Sequence, residues 1–347
     1  MNDFILEESL TVAPLVEEIS GGVVVNAPAK INLNLLVGPL RPDGFHPLDS
    51  FAAKITLYDR IELRLRNDGE VRLTCELSPR LAHLGADIGS VEKNLAYRAA
   101  GLLRDYALKR GQSPTCGADI HLLKRIPPGM GLGGGSSDAA GTLLGLSKLW
   151  NLGLSDAESH DLGTHLGSDV PLFLQPSLAI RMTGRGEILQ PIQVRPFHAV
   201  LCLPPVATPT GPVYREFDRL AGSGTSDPTV IAASSPLSSL NWSDRTQTRS
   251  CASADMSQLP VHCLEGPPST WPDLRNDLLA PALNVSPALR DLIADLAAQA
   301  GRPPQLTGSG SGLFFLCNDE LAARQLASRL HETHRDLCIL LRGASQM

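Results

Sequence analysis

The most evident candidate for chemistry is a glycine-dense segment, PPGMGLGGGSSDAAG, at residues 127–141. Glycine leaves the backbone free to adopt positive φ angles and removes the Cβ atoms that would hold a ligand away from the peptide N–H groups, so such a segment binds anions. The glycines concerned are Gly129, Gly131, Gly133, Gly134 and Gly135. Ser136 or Ser137 fits the N-cap of a following helix, whose N-terminus favours a phosphate group. The segment therefore predicts a nucleotide triphosphate site.

Two other interpretations of the segment stay open on the motif alone. One is a glycine-rich connection that binds nothing. The other is a dinucleotide site, because Gly129, Gly131 and Gly134 satisfy G-x-G-x-x-G and Asp156 lies about where a ribose-binding acid would. Against the second, the loop is followed by two helices joined by a turn at 152–155, where a dinucleotide-binding unit has a second parallel strand. No G-x-x-x-x-G-K-[ST] pattern occurs, which excludes a P-loop.

A lysine and an aspartate in apolar surroundings are the second candidate. Lys30 lies in the alternating segment 23–37, with Asn32 on the same face, and Asp169 precedes the apolar residues 170–174. Burying a carboxylate costs several kcal/mol unless it is paired, so Lys30 is a suitable partner for Asp169. A purely structural interpretation is also open, with Lys30 on the solvent face of an edge strand and Asp169 capping a turn.

The elements that would position these residues form two groups. In the first, alternation predicts strands at 23–37, 51–57, 60–65, 71–77, 118–126 and 170–174, and helical periodicity predicts helices at 94–109, 139–150 and from the 152–155 turn to 166. In the second, we predict strands at 178–182, 187–191, 198–203, 313–317 and 337–341, with helices at 273–281, 287–300 and 320–331. The second group indicates an α+β sandwich of ferredoxin-like type.

Length and composition limit the class of protein. A chain of 347 residues predicts two domains. The formal charge is -6 without a basic stripe, which argues against nucleic acid as a partner. Seven cysteines without a C-x-x-C pair indicate a reducing compartment and no zinc site. No apolar run has membrane-spanning length and the N-terminus is acidic, so we expect a cytoplasmic protein without a membrane partner.

Two stretches differ from the rest. Residues 1–21 are expected to be a loosely ordered extension. Residues 221–270 are rich in Gly, Ser, Thr and Pro and poor in large apolar side chains, so they cannot bury enough surface to offset their ordering entropy. We predict that this second stretch is a disordered insertion.

Four segments together resemble the signature blocks of the GHMP kinase superfamily. They are PAKINLNL at 28–35, PPGMGLGGGSSDAA at 127–140, GSDVPLFL at 167–174 and LTGSGSGLFF at 306–315. They occur in the order of that superfamily and cover most of residues 23–217 and 273–342, while residues 1–21 and 221–270 fall outside the resemblance. The resemblance implies a two-domain α+β fold, with a ribosomal-protein-S5-like ATP-binding domain at 22–176 and a ferredoxin-like domain at 177–347.

The same resemblance implies an ATP-dependent kinase that phosphorylates a small molecule. Asp169 would be the base and Lys30 its charge partner, which suits a phosphoryl transfer because that reaction needs positioning, charge neutralisation and a base for the attacking hydroxyl. The phosphates of ATP would bind at Pro128, Gly129, Gly131, Gly133, Gly134, Gly135, Ser136 and Ser137. Asn94 and Lys124 match superfamily positions near the nucleotide. Mg²⁺ is expected with ATP, although no acidic ligand set stands out.

Within the superfamily, the chain most resembles kinases that phosphorylate the 2-hydroxyl of a cytidine diphosphate sugar alcohol in the non-mevalonate isoprenoid pathway. By this resemblance Phe45 stacks on cytosine, where many members have tyrosine, and His46 hydrogen-bonds the base. Tyr214 would be the second aromatic wall, since a pyrimidine between two rings gains dispersion energy and excludes water. Asn32 would face the sugar alcohol, and Thr210 lies in the same substrate loop as Tyr214. An extra residue, Gly211, leaves the register of Tyr214 open.

Three alternatives compete with this assignment. One is another kinase of the superfamily, acting on mevalonate, phosphomevalonate or homoserine; the G-F-H-P-L segment at 44–48 and Tyr214 favour a cytosine-bearing substrate instead. A non-catalytic nucleotide-binding protein would keep the loop but would not need a base, so the presence of both Lys30 and Asp169 argues against it. A dehydrogenase would follow from the dinucleotide pattern alone.

Overall fold

One large mixed sheet with helices packed on it forms the framework of the chain. The computed structural model describes residues 15–84, 88–111, 117–222, 264–271, 274–334 and 338–343. The strands within these ranges are β1 (Leu15–Ile19), β2 (Gly22–Val37), β3 (Leu48–Arg66), β4 (Val71–Leu77), β5 (Gly117–Lys124), β6 (Ala179–Thr183), β7 (Ile188–Pro191), β8 (Phe197–Cys202), β9 (Gln305–Leu306), β10 (Leu313–Cys317) and β11 (Cys338–Gly343). The α-helices there are α1 (Leu95–Lys109), α2 (Gly134–Leu149), α3 (Asp156–Leu166), α4 (Val170–Leu174), α5 (Thr210–Gly222), α6 (Leu279–Val285), α7 (Pro287–Ala300) and α8 (Glu320–Thr333).

The sheet is built around β3. The main strand order is β1-β2-β3-β11-β8-β10-β9, and β3 also pairs with β5 through its second half and with β6 through its first half. β4 runs parallel to β5, while the other pairs in the described sheet are antiparallel. The domain limits 22–176 and 177–347 stay a prediction, since β3 pairs with strands on both sides of that boundary.

Strand β3 is continuous where we predicted two strands with a gap. Tyr58 and Asp59 occupy that gap, yet both are buried and pair with Pro28 and Ala27 of β2. The Asp59 carboxylate is satisfied inside the protein because it accepts hydrogen bonds from the backbone N–H groups of 125 and 126. The polar groups of Tyr58 and Asp59 therefore led to the prediction of two strands where one long strand exists.

The core has a helical layer over each part of the sheet. Over β2, β3 and β5, the buried side chains of α1 and α2 include Ala99, Leu103, Leu143 and Leu146. Gly145 allows α2 to approach the sheet, because a Cβ atom there would lie 2.4 Å from Leu63 Cδ1. A separate cluster packs α6, α7 and α8 on β8 and β10. This arrangement confirms the predicted α+β class.

The elements next to the glycine loop differ from the predictions. Helix α2 begins at Gly134 rather than 139, and its N-cap is Gly133, at φ 72°, rather than Ser136 or Ser137. Both serines therefore lie in the first helical turn. Residues 170–174 form helix α4 rather than a strand, with Pro171 at its start. A run of five apolar residues has no period that separates a buried strand from a buried helix.

Further differences lie in the second group of elements. Helix α5 occupies the region expected to be a substrate loop. It was not predicted because Gly211 and Pro212 in its first turn are typical of a loop. Helix α6 begins at Leu279, later than predicted. Helix α7 and strand β10 have the predicted limits.

The two atypical stretches are each described in part. Residues 1–14 of the expected extension lie outside the described residues, whereas Leu15–Ile19 form β1, paired with β2. Residues 223–263 of the expected insertion also lie outside. At its end, Leu264 is fully buried, and the ring centroid of neighbouring Trp271 lies 5.6 Å from that of Phe197. In the described part of the chain, every helix is too short or too polar to cross a membrane.

Candidate active site

A cavity of about 200 Å³ lies where the glycine loop, β2 and α5 meet. It collects seven of the residues singled out by sequence: Lys30, Asn32, Gly131, Gly133, Asp169, Thr210 and Tyr214. Its other walls are Leu35, Leu48, Ser50, Met182, Leu278, Gly308 and Ser309. The cavity is therefore lined by polar groups from both halves of the chain, together with several apolar side chains.

The inner side of the glycine loop is packed against protein. Gly131 and Gly133 have φ angles of 71° and 72°. A Cβ atom on Gly131 would lie 2.2 Å from the carbonyl oxygen of Thr307, and one on Gly133 would lie 2.8 Å from the Phe173 ring. The backbone N–H of Lys30 binds the carbonyl oxygen of Leu132 at 2.9 Å. Only glycine fits these two positions.

The outer side of the same loop is open. Pro128, Gly129 and Gly135 are exposed, and a Cβ atom on Gly129 would meet nothing within 4 Å. In the first turn of α2, the buried hydroxyl of Ser137 has no hydrogen-bond partner within the described residues. An open glycine backbone, the N-terminus of a 16-residue helix and an unsatisfied hydroxyl fit the phosphates of ATP.

Lys30 and Asp169 lie together at the cavity. Lys30 Nζ is 3.9 Å from Asp169 Oδ2, with the Lys30 side chain 6% exposed and that of Asp169 39% exposed. The edge-strand interpretation of Lys30 is wrong because β2 is buried on both faces here. Asp169 is the N-cap residue of α4, but its side chain makes no capping hydrogen bond. Burial lowers the pKa of Lys30, and the charge of Asp169 opposes that shift.

A hydrogen-bond network extends from Lys30. Its Nζ donates to Asn32 Oδ1 at 2.5 Å, and Asn32 Nδ2 donates to Ser50 Oγ at 2.7 Å. The backbone N–H of Asn32 donates to Thr307 Oγ1, which in turn donates to the Gly131 carbonyl oxygen at 3.2 Å. Sequence reasoning missed Ser50 and Thr307 as site residues. Thr307 opens the TGSGSG turn, which was the available signal, whereas a lone serine in a strand carries none.

Lys124 lies against the glycine loop, and both Lys124 and Asn94 have partners within the protein. The buried Lys124 ammonium pairs with Asp59 and, at 2.6 Å, with Asp138 Oδ2. Burial alone would lower the pKa of Lys124, but the two carboxylates outweigh it and raise the pKa. Asn94 caps α1 by accepting from the N–H of Ala96 at 2.9 Å. Each side chain is therefore engaged within the protein.

The residues expected at cytosine lie in two adjoining elements. His46 is in the loop between β2 and β3, and its ring centroid is 5.3 Å from that of Tyr214 in α5. Both ring nitrogens of His46 have partners, the Gly38 carbonyl oxygen at 2.9 Å and Asp218 Oδ1 at 3.3 Å. Burial, with the nearby charge of Asp169, raises the pKa of Tyr214 to about 12. Tyr214 thus lies between the histidine and the cavity.

Phe45 and Thr210 differ in their setting. Phe45 is 49% exposed, and the Arg185 guanidinium carbon lies 4.7 Å from its ring centroid. Thr210 begins α5, and its hydroxyl lies 2.9 Å from Ser309 Oγ of the glycine turn after β9. Thr210 therefore joins the cavity, while Phe45 lies outside its lining.

Sequence comparison places the chain in a known group of proteins. The family model described as GHMP kinases N terminal domain matches residues 94–175, which include the glycine loop and Asp169. A relative from Streptomyces coelicolor, named 4-diphosphocytidyl-2-C-methyl-D-erythritol kinase, is 36% identical over 91% of this chain and 95% of its own.

Solved structures agree with the sequence comparison. A crystal structure of 4-(cytidine 5'-diphospho)-2C-methyl-D-erythritol kinase is 30% identical in sequence to this chain and superposes with a TM-score of 0.63. The match covers 93% of this chain and 100% of that chain. The L. major mevalonate kinase, crystallised with R-mevalonate, has a TM-score of 0.58 at 13% identity, over 94% of this chain and 98% of that chain. The second likeness concerns the fold alone, and together they confirm the fold expected from the signature blocks.

Proposed function

The chain belongs to the 4-diphosphocytidyl-2-C-methyl-D-erythritol kinase family of the GHMP kinases, and from this membership we propose that it phosphorylates the 2-hydroxyl of that cytidyl sugar alcohol with ATP, in the non-mevalonate isoprenoid pathway. The observation that carries the proposal is the placement of Lys30 and Asp169 in one cavity with Gly131 and Gly133 of the glycine loop. A base, a cation and a phosphate-binding backbone in one space are what phosphoryl transfer to an alcohol requires.

Asp169 is the proposed base. Its carboxylate is partly exposed at the cavity and has Lys30 at 3.9 Å, so it is paired with a cation and still open to a substrate hydroxyl. The hydroxyl proton passes to an Asp169 oxygen as the alcohol oxygen forms a bond to the γ-phosphorus of ATP, and ADP leaves with the electron pair of the broken P–O bond.

Lys30 is proposed to stabilise charge. Its ammonium is held by Asn32 and by the charge of Asp169, and its stem lies against the loop, since a Cβ atom on Gly133 would be 3.1 Å from Lys30 Cγ. A fixed cation of this kind lowers the energy of a transferring phosphoryl group without reorganisation. The Asn32–Ser50 hydrogen bond fixes the orientation of the amide that holds it.

ATP, when bound, supplies the phosphoryl group that is transferred. We propose that the exposed backbone at Pro128, Gly129 and Gly135 and the first turn of α2, with Ser136 and Ser137, hold its phosphates. Lys124 supports this surface from below, because a Cβ atom on Gly134 would lie 3.2 Å from its Nζ. We expect Mg²⁺ to come with ATP; in the parts of the chain that the structure describes, no three His, Cys, Asp or Glu side chains cluster as metal ligands.

The acceptor end is proposed to bind between α5 and the loop before β3. Tyr214 offers an aromatic face, Phe45 an exposed ring, and His46 a ring whose Nε2 now faces the exposed carboxylate of Asp218. Recognition of cytosine by the His46 ring therefore requires exchange of the Asp218 contact. Asn32 and Thr210, both at the cavity, are proposed for the sugar alcohol.

A coupled assay of ADP release tests the proposed function. Turnover is expected with 4-diphosphocytidyl-2-C-methyl-D-erythritol, and little with mevalonate, phosphomevalonate or homoserine at equal concentration. Preference for one of those three alcohols would assign another GHMP kinase activity. Absence of ADP release with all four, in protein that binds ATP, would instead favour a non-catalytic nucleotide-binding protein.

A further inference from the structure

Lys54 is a buried lysine that the proposed mechanism does not use. Its side chain belongs to β3 and is 1% exposed. In the β2–β3 register Lys54 lies directly opposite Lys30. Side chains of directly opposed residues in an antiparallel pair lie on the same face, so the two lysines stand side by side under the same layer of helices.

The Lys54 ammonium binds the end of helix α4. It donates a hydrogen bond to the backbone carbonyl oxygen of Gln175, the C-cap residue of that helix. The last carbonyl groups of a helix lack intrahelical partners and carry partial negative charge, so a cation there is favourable. Lys54 also binds the next segment through its backbone N–H, which donates to the Leu178 carbonyl oxygen at 2.8 Å.

Helix α4 is therefore held at both ends by lysines from one strand pair. Asp169, its N-cap residue, lies by Lys30, and Gln175, its C-cap residue, lies by Lys54. Five residues of helix span about 7.5 Å, a length that two neighbouring long side chains on one face can bracket. The backbone of α4 is the shortest covalent path between the Lys54 contact and the Asp169 carboxylate.

We propose that Lys54 is a positioning residue, which holds α4 at its C-terminal end and thereby fixes the Asp169 carboxylate relative to Lys30 and the phosphate-binding loop. The inference rests on the proposed function, since it takes Asp169 as the base. It adds a residue that touches neither substrate.

The energetics argue for a role beyond stability. Among the described residues, no carboxylate pairs with Lys54, and burial lowers its pKa to about 7. Burying a charged group that has no ion-pair partner costs free energy unless hydrogen bonds offset it. Val170 and Phe173 already bury α4 in the core. A lysine at this position therefore lowers stability. What it contributes is a hydrogen bond to the C-terminal end of α4.

The test compares Lys54→Met with the wild-type enzyme, because methionine keeps the length of the stem and removes the donor. We expect kcat to fall about tenfold to a hundredfold, as small displacements of a catalytic group do. The KM for ATP should stay within about twofold, since the glycine loop is untouched. The midpoint of thermal unfolding should equal or exceed that of the wild type. A purely structural residue would instead lower the midpoint together with activity.

A double mutant shows whether Lys54 acts through Asp169. Residues that act as one unit give non-additive losses. The variant Asp169→Asn/Lys54→Met should therefore be as slow as Asp169→Asn alone. A further loss of the full Lys54→Met factor would overturn the inference. Lys148→Met, which removes a half-exposed lysine paired with Glu18, is the matched control and should leave kcat and both KM values unchanged.

The outcomes separate this inference from the proposed function. Wild-type kcat in Lys54→Met, with strong loss in Asp169→Asn, overturns the role of Lys54 alone. Wild-type kcat in Asp169→Asn, or no turnover by the wild-type enzyme, overturns the proposed function and this inference with it. If Lys54→Met does not fold, Lys54→Gln is assayed by the same criteria, and loss of kcat only in proportion to a lower thermal midpoint assigns Lys54 a structural role and overturns the inference.

Discussion

Gly131 and Thr307 are in backbone contact, so close that a Cβ atom on the glycine would lie 2.2 Å from the threonine carbonyl oxygen. The Thr307 hydroxyl adds a hydrogen bond to the Gly131 carbonyl oxygen at 3.2 Å. Two glycine segments that are far apart in the sequence thus form one wall of the cavity. The shape of the glycine loop depends on the C-terminal half of the chain.

Gly131→Ala should destabilise the protein more than Gly129→Ala. Both glycines have positive φ angles, 71° and 74°, but only position 131 is blocked by backbone. Left-handed strain alone costs about 1–2 kcal/mol, and the clash should raise the total for Gly131→Ala to about 2–5 kcal/mol. Urea unfolding of both variants measures the difference. Equal losses would mean that the Thr307 contact is not constraining.

Asp169→Asn should lower kcat by about 10²–10⁴, because it keeps the shape of the side chain and removes the base. Lys30→Ala should be at least as harmful, since it removes the cation and leaves Asp169 without its partner. Circular dichroism establishes that each variant is folded, and ADP release gives the rate. A folded Asp169→Asn enzyme that turns over at the wild-type rate would exclude this base.

Phe45→Ala should raise the KM for the cytidyl substrate about tenfold to a hundredfold, because stacking on a base contributes roughly 1–3 kcal/mol. Phe45→Tyr is the matched control and should be mild, as the ring is kept. The KM for ATP should barely change in either variant, because the glycine loop lines the cavity and Phe45 does not.

Tyr214→Ala completes that test from the other wall. Its ring lies 5.3 Å from the His46 ring, so its loss should also raise the KM for the cytidyl substrate. Unchanged KM values in both alanine variants would rule out stacking of cytosine between Phe45 and Tyr214. The acceptor would then be an alcohol of unknown identity.

Lys54 predicts a particular dependence of stability on pH. The folded protein releases the Lys54 proton near pH 7, whereas the unfolded chain keeps it up to about the usual 10.5. Between these values the unfolded state binds more protons, so the contribution of Lys54 to the free energy of unfolding rises with pH. The free energy of unfolding of Lys54→Met should therefore exceed that of the wild type by most near neutral pH and by least near pH 10. Denaturant unfolding across this window measures the gain, and a gain independent of pH would contradict the shift.

Sequence reasoning succeeded where local signals are complete. Helix α7 begins at a proline and ends at Gly301, which takes the left-handed C-cap conformation, and its limits were predicted correctly. Strand β10 is an apolar run preceded by glycines, and its limits were also predicted. In both cases the residues that end the element lie next to it in the chain.

The missed features depend on residues that are distant in sequence. Helix α4 has no period to reveal it, and its ends are held by lysines from β2 and β3. Ser50 is part of the site only because β3 brings it to Asn32. Lys54 carries no local signal of its role, because its ammonium binds the carbonyl oxygen of Gln175, more than a hundred residues later in the chain. Pattern alone cannot place such contacts.

The strand order also has a consequence for how the protein is made. Strand β11, the last described strand, lies between β3 and β8, which the ribosome makes much earlier. Until residues 338–343 emerge, the edge of β8 and Ile55 of β3 lack the strand partner that β11 provides, and unpaired edges are sites of aggregation. Strands β1 to β5 and helices α1 to α4 can assemble while synthesis continues, since domains fold as the chain emerges. The sheet closes only when β11 pairs, so a chain that lacks this strand would expose unpaired strand edges and be a target for chaperones and proteases.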